Sequence, residues 1–194
     1  MTQVHITGGA KMEAFLKELQ AKLSGKEMLK VGFMEDSNYP DDGEHVAYIA
    51  SINEFGATAQ IPAHDVTITR DINLKTGDFN KKGKFVRAEK GNFQTTHHVD
   101  AYEVTIPPRP FFRRMVFVGT DHWGKDLAGI IKSQNYDAKK SLELLGEQMT
   151  GELRASIIAN VYAPLAASTV RAKGHASQLV DSGNMLRSVA KAVE

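Results

Sequence analysis

A strand-rich segment interrupts an otherwise helical pattern, and this change constrains the fold more than any other feature of the sequence. Between residues 61 and 106, runs rich in β-branched and aromatic residues at 66–69, 84–87 and 99–106 are separated by turn-forming residues. Strands grouped between helical segments, without alternation of strand and helix, favour an α+β fold. We therefore expect residues 61–106 to form an inserted β-hairpin or three-stranded β-meander.

The segments on either side of the insertion predict the body of one domain spanning residues 1–194. Apolar residues recur at helical spacing over residues 10–24 and 137–160, and residues 45–55 fit another helix. Residues 28–34 alternate in the manner of a strand, and a turn-rich loop follows at 35–43. We expect a small mixed or antiparallel sheet, packed by the N-terminal helix and by the long helix of the C-terminal half.

Three shorter helices are expected after the insertion. Pro107-Pro108-Arg109-Pro110 favours extended backbone leading into a short helix, and residues 121–132 form the next helical candidate. Near the end of the sequence, Asp181 or Ser182 is placed to cap a last helix that carries Met185, Leu186 and Val189.

Composition excludes several kinds of chemistry. The 194 residues contain no cysteine, so disulfides, thiolate metal ligands and thiol nucleophiles are absent. The formal net charge of +1 gives no overall attraction to nucleic acid. No apolar run approaches the length of about 20 residues that a membrane-spanning helix needs, so we expect no membrane partner.

The most catalytic-looking motif is Leu179-Val180-Asp181-Ser182-Gly183. An apolar pair before Asp-Ser-Gly is how aspartic proteases present their carboxylate, and a dimer of this chain would bring two copies together. However, only 11 residues follow Gly183, whereas that fold needs many more to build its strands and flap. We therefore favour a helix-capping role for Asp181 and Ser182, with the dimeric aspartic protease as the alternative of another class.

Other enzymatic and metal motifs are missing from the sequence. His97 and His98 are adjacent on an expected strand, so their side chains should point to opposite faces, and no His-Glu-x-x-His spacing occurs. The sequence also lacks a Gly-x-Ser-x-Gly elbow and a phosphate-binding Gly-rich loop. We expect a protein that is not an enzyme and uses no cofactor or metal.

Basic residues cluster locally within the strand-rich segment. Aromatic residues are interleaved with them at Phe79, Phe85 and Phe93, as in surfaces that contact nucleic acid. The alternative is an ordinary solvated hairpin. The residues that could face DNA in a channel are Lys81, Lys82, Lys84 and Arg87.

Four blocks of the sequence carry a family resemblance. They are Val31-Gly32-Phe33, the Val46–Ala57 segment with its Asn-Glu-Phe-Gly ending, the Ile106–Arg113 segment with its Pro-Pro-Arg-Pro-Phe-Phe run, and the Leu179–Ser188 segment. In this order they resemble the virion-morphogenesis and tail-completion proteins of tailed bacteriophages. Short members of that family often have only a brief loop where this chain has residues 57–106.

The resemblance implies a structural role in the virion. It implies a homo-oligomeric ring, sixfold in symmetry, at the neck or upper tail, assembled in the host cytoplasm. Its partners would be a head-side connector protein and tail tube or tail terminator proteins; the basic cluster adds transient contact with packaged DNA. Alternatives are a minor tail component and a DNA-binding accessory protein.

The same blocks supply the candidate interface or packing residues. Large aromatic side chains and arginines suit core packing or contacts between subunits better than catalysis. Of the three phenylalanines in this set, we expect about two to be core residues. The candidates are Phe55, Arg109, Phe111, Phe112, Arg113 and Arg114.

Overall fold

The computed structural model of the chain describes residues 9–40 and 43–194; residues 41 and 42, within the loop predicted at 35–43, lie outside this description. The chain divides into two compact units, the second being Ala57–Ile106 and the first the remainder on both sides of it. Helices and small antiparallel sheets occur together, which confirms the α+β class. The second unit begins four residues before the insertion predicted at 61–106.

The first unit is mainly helical. Its helices and strands are α1 (Gly9–Leu23), β1 (Leu29–Phe33), α2 (Val46–Phe55), α3 (Phe111–Gly119), α4 (Trp123–Ser133), α5 (Ala138–Ile158), α6 (Ala167–Lys173), α7 (Asn184–Arg187) and β6 (Val189–Val193). No helix in the described ranges is both long and apolar enough to cross a membrane.

The sheet of the first unit joins distant parts of the chain. Strand β1 pairs antiparallel with β6, from Leu29 opposite Val193 to Phe33 opposite Val189. Helix α5 packs on both strands. A Cβ at Gly146 would lie only 2.8 Å from Leu29 Cδ1 and 2.7 Å from Lys191 Cδ, so glycine at this position permits the close approach of helix and sheet.

Helix α5 organises the core as its sequence predicts. The Asp137 carboxylate caps the helix by accepting a hydrogen bond from the backbone N–H of Lys140 at 3.0 Å. Leu153 and Ile157, from the predicted apolar stripe, are almost completely buried. They pack in one core cluster with residues from α2, α3, α7, β6 and the loop before α7: Val46, Ala50, Phe111, Met115, Leu179, Met185 and Val189.

Helix α1 does not pack on the sheet, in contrast to the expectation for the N-terminal helix. Its exposed side chains include Met12, Phe15, Leu16 and Leu23, although they lie on one face as predicted. Its contacts with the rest of the unit include an edge-to-face arrangement of Phe15 and Tyr136, whose ring centroids are 6.2 Å apart. Packing on the sheet is provided by α5 instead.

The second unit is a long antiparallel ribbon. Its strands are β2 (Ala57–Ile61), β3 (His64–Arg70), β4 (Phe93–Val99) and β5 (Tyr102–Ile106), in the pairs β2–β5 and β3–β4. The strand register continues unchanged from one pair to the next, since Ile61 lies opposite Tyr102 and His64 lies opposite Val99. Pro62, which lacks an N–H donor, falls at the interruption between the pairs. Two 3₁₀ turns, Asn80–Gly83 and Ala88–Lys90, lie in the connection between β3 and β4.

Two predicted elements differ from the structure. Residues 84–87 are not a strand but lie between the 3₁₀ turns, where the Val86 backbone N–H donates to the Thr69 carbonyl at 3.0 Å. Val189 is not part of the last helix, because α7 ends at Arg187 and Val189 begins β6. Its side chain is only 1% exposed, so pairing with β1 and burial on α5 decide its conformation.

Candidate functional site

The four sequence blocks meet in one region of the first unit. Phe33 of β1 and Phe111 of α3 pack edge to face, with ring centroids 6.3 Å apart. Val46 from the second block and Met185 from the fourth belong to the same buried cluster as Phe111. Segments far apart in sequence therefore contribute to one core, and we call this region the block junction.

A buried carboxylate ties α2 to the start of α3. Glu54 Oε2 accepts the backbone N–H of Phe112 at 2.8 Å, and Oε1 accepts that of Arg113 at 3.2 Å. Arg113 also donates through Nε to Oε1 at 2.8 Å and through Nη2 to the Glu54 carbonyl at 2.9 Å. Free N–H groups and the helix dipole make the N-terminus of α3 a favourable place for a negative charge. Glu54 thus links the Asn-Glu-Phe-Gly segment to the segment that follows the insertion.

The neighbouring residue Asn53 makes a second link. Its carbonyl accepts the backbone N–H of Arg109 at 2.7 Å, and its Oδ1 accepts Arg109 Nη1 at 3.2 Å. Its amide nitrogen donates to the carbonyl of Ile49 at 2.9 Å, which orients Oδ1 toward the guanidinium. Together, Asn53 and Glu54 bind both ends of the Arg109–Arg113 segment.

Arg109 is buried although its side chain carries a positive charge. Only 6% of the residue is exposed, and its buried Nε has no hydrogen-bond partner. Burial lowers the pKa of Arg109 because desolvation disfavours the charged guanidinium. Arg109 is therefore a packing residue of the block junction.

The other interface candidates divide into core and surface. Phe111 is buried at 1% exposure, and Phe112 is half-buried against the core, in agreement with two of the three phenylalanines being core residues. Phe55 is 68% exposed, and the Arg113 guanidinium lies over its ring at 5.2 Å from the centroid. Arg114 is exposed and lines a shallow cleft with His122 and Glu152.

The predicted capping role of Asp181 and Ser182 is wrong. The residue at the N-cap of α7 is Gly183, with φ of 80°, and no side chain caps this one-turn helix. Ser182 and Asp181 are exposed, and Asp181 lies 3.9 Å from His175 Nε2. The left-handed backbone at Gly183 lets the helix begin at Asn184, three residues after Asp181, and neither side chain makes a capping hydrogen bond.

A cleft of about 350 Å³ lies beside this loop. Ile49 and Asn53 of α2 form one side, and Leu179, Asp181 and Asn184 belong to the other. The second and fourth sequence blocks therefore share a surface as well as a core.

The basic residues of the second unit lie in the same connection between β3 and β4 as two exposed aromatic residues. Lys82, Lys84 and Arg87 are exposed between β3 and β4, whereas the side chain of Lys81 is outside the described part of the structure. The Arg70 guanidinium lies 5.7 Å from the Phe79 ring centroid and 5.2 Å from that of Phe85. Cation–π contacts with Arg70 thus hold two aromatic rings, both more than half exposed, in the connection that carries these basic residues.

The histidines are held by separate partners. His97 Nε2 lies 2.8 Å from Thr95 Oγ1, whereas His98 Nδ1 lies 2.8 Å from Asp65 Oδ1. The two adjacent side chains therefore have different contacts. Within residues 9–40 and 43–194, no group of three or more potential ligands is arranged to hold a metal ion.

Sequence reasoning missed a polar cluster between α4 and α5. Asp126 Oδ2 lies 2.8 Å from His122 Nδ1 and accepts Gln148 Nε2 at 2.7 Å, while Trp123 Nε1 donates to Glu152 at 2.7 Å. The hydrogen bond from Gln148, and next that from His122, lowers the pKa of Asp126. The sequence signals for this cluster are the four-residue spacings of His122 and Asp126 and of Gln148 and Glu152. Such a spacing predicts contact along one helix but does not identify the partner helix.

No protein-family model matches this chain, and no curated protein or solved structure is significantly similar to it.

Proposed function

We propose that this protein is a structural component of a tailed bacteriophage particle. In this proposal it forms a homo-oligomeric ring, sixfold in symmetry, at the neck or upper tail. The ring completes the tail or joins it to the head, with a head-side connector protein on one face and tail tube or tail terminator proteins on the other. The protein acts through assembly, without catalysis.

The block junction is the observation that carries the proposal. The residues that resemble tail-completion proteins make packing and capping contacts: Phe111 fills the core, Glu54 caps α3, and Asn53 binds Arg109. These roles preserve a rigid subunit, which is what a ring component requires. The extra residues 57–106 form their own compact unit, so they leave the junction of the blocks uninterrupted.

The proposal is tested on the particle. Purified virions should contain this protein by mass spectrometry, and particles made without it should have heads and tails that fail to unite or tails of uncontrolled length. Immunogold labelling should place it at the neck; labelling of the distal tail would indicate a minor tail component instead. Its absence from virions, or normal infectious particles without it, would refute a structural role.

The protease alternative is tested by Asp181→Asn. Asp181 is an exposed side chain 3.9 Å from a histidine, so the substitution should leave particle processing and assembly unchanged and alter stability by about 0.5 kcal/mol or less. A protease would lose all processing with this change. Loss of particle maturation in the variant would therefore favour the enzyme over the structural protein.

Transient contact with packaged DNA is proposed for the second unit. Its support is that the exposed residues Lys82, Lys84 and Arg87 and the exposed rings of Phe79 and Phe85 belong to one connection between β3 and β4. Binding of the full chain to duplex DNA should weaken steeply with salt, and changing the three basic residues to glutamine should reduce the salt dependence. Glutamine at the equally exposed Lys11, Lys17 and Lys125 is the control. Equal binding by both triple variants would exclude this surface.

A further inference from the structure

Helix α1 carries an apolar face that the described residues of the chain leave largely exposed. Met12 is 60% exposed, Leu16 55%, Phe15 46% and Leu23 44%, although their spacing places them on one stripe of the helix. We call these four residues with the half-buried Leu19 the α1 stripe. An isolated helix of 15 residues is marginal in water, and packing of an apolar face is what stabilises most helices in proteins. The stripe therefore has the character of a surface that another molecule covers.

A second exposed apolar surface lies on α2 and α3. Tyr48 is 57% exposed, Phe55 68% and Phe117 78%. Tyr48 and Phe55 are seven residues apart and therefore share a face of α2. Arg113 links Phe55 to α3, because its guanidinium lies over the Phe55 ring. Phe117 follows Arg113 by one helical turn, so it lies on the same face of α3. We call Tyr48, Phe55, Phe117 and Arg113 the aromatic surface.

The two surfaces lie near opposite ends of α5. Helix α1 is attached beside the start of α5, through Phe15 on Tyr136 and through Lys22 Nζ, which donates to the Asn135 carbonyl at 3.4 Å. Helix α3 begins beside the other end, where Ser156 Oγ donates to the Phe111 carbonyl at 2.7 Å. The 21 residues of α5 span about 30 Å. The exposed fractions of both surfaces show that the α1 stripe does not cover the aromatic surface of the same chain.

The exposed area is sufficient for an interface. With about 150–250 Å² per aromatic side chain, the exposed fractions of Tyr48, Phe55 and Phe117 amount to roughly 400 Å². A standard interface buries about 800 Å² on each partner, of which somewhat more than half is apolar. The apolar area of the aromatic surface is therefore close to what one side of a stable interface needs.

We infer that the α1 stripe of one copy of this protein docks on the aromatic surface of the next copy. Because the two surfaces are different and belong to different helices, each copy can contact two neighbours head to tail, an arrangement that forms a ring when the rotation between neighbours closes. The choice of a second copy as the occupant rests on the proposed function. Arg113 also fits this contact, since its guanidinium shields one side of the Phe55 ring and remains 59% exposed to a neighbour.

Two substitutions separate the two halves of the contact. Leu16→Glu places a charge in the α1 stripe, and Phe117→Asp places one in the aromatic surface; both positions are exposed, so neither change should unfold the subunit. Ala14→Glu is the matched control, because Ala14 is exposed on the opposite side of α1. Circular dichroism of each full-length variant checks the fold, and analytical ultracentrifugation measures association.

A contact between the α1 stripe and the aromatic surface predicts a different pattern of association from a contact of either surface with itself. Wild type and Ala14→Glu should associate equally, while Leu16→Glu and Phe117→Asp should each weaken association at least about 30-fold, as for hot-spot residues. A mixture of these two variants restores one intact stripe and one intact aromatic surface, so it should form 1:1 dimers and nothing larger.

Three outcomes would overturn the inference. Self-association of Phe117→Asp alone would indicate that α1 pairs with α1, and a monomeric mixture would show that the surfaces do not meet. A wild-type chain that stays monomeric at the highest attainable concentration would also refute it. None of these results decides the virion role, because that role is tested separately by the content and morphology of particles.

Discussion

Replacing Glu54 with glutamine tests the link that holds α2 to α3. Glutamine preserves the size of the side chain, but its amide nitrogen cannot accept a hydrogen bond. One of the N–H groups now bound by the two carboxylate oxygens therefore loses its acceptor in a site that is only 6% exposed. An unsatisfied buried donor costs about 1–3 kcal/mol, and losing the charge at a helix N-terminus costs about 0.3–1 kcal/mol more.

We expect Glu54→Gln to lower the free energy of unfolding by about 1–4 kcal/mol. Urea unfolding followed by far-ultraviolet circular dichroism should show a lower midpoint with an unchanged slope. Glu13→Gln is the control, because Glu13 pairs with Lys17 on the exposed surface of α1 and the change should cost about 0.5 kcal/mol or less.

Two results would refute this reasoning. A Glu54→Gln variant as stable as the Glu13→Gln control would show that the carboxylate does not hold the start of α3. A larger loss for Arg113→Ala than for Glu54→Gln would show that the ion pair matters more than the backbone hydrogen bonds. We expect the opposite order, since the Arg113 side chain is 59% exposed and water can replace part of its contact.

Three further predictions concern the two units. Joining Ala57 to Ile106 through a short Gly/Ser linker should leave the first unit folded, because these residues are cross-strand partners; loss of its helical circular dichroism would contradict this. Leu153→Ala, at a site with no exposure, should cost about 2–5 kcal/mol in urea unfolding, and a cost below 1 kcal/mol would contradict its core position. The hydrogen bond from Gln148 lowers the pKa of Asp126 in the folded protein. The Asp126 carboxylate therefore stabilises the fold at pH values above its ordinary pKa of 3.8, and this stabilisation is lost as the pH falls through the lower pKa of the folded state. Asp126→Asn should therefore be less stable than wild type at neutral pH, with a difference that shrinks on acidification; a growing difference would contradict the assignment.

Locally determined elements could be predicted from the sequence. Helix α5 has a capping aspartate at Asp137 and a long apolar stripe, and both signals act within a few residues of the chain. Strand β1 has a clear alternation of apolar residues before a loop. The α+β class followed from the grouping of such signals.

The missed features depend on contacts between distant residues. The sequence Val189-Ala-Lys-Ala-Val contains two alanines and has little strand propensity, and its pairing with β1 fixes its conformation. The Asn-Glu-Phe-Gly motif is visible in the sequence, but the bond from its Glu54 to the start of α3 joins residues on either side of the inserted unit and has no local signal. The exposure of the α1 stripe could not be predicted from the sequence either, because amphipathic spacing does not specify which surface will cover the helix.

The pairing of β1 with β6 also sets an order for folding during synthesis. The ribbon of the second unit has all of its residues once Ile106 has left the ribosome, whereas β1 must wait for residues 189–193 and Val189 is part of the core. Such a non-local contact adds loop-closure entropy to the last step and slows it. Nascent chains arrested before residue 189 should therefore remain protease-sensitive in the first unit. Protection of β1 and α2 in such chains would show that the core closes without its final strand.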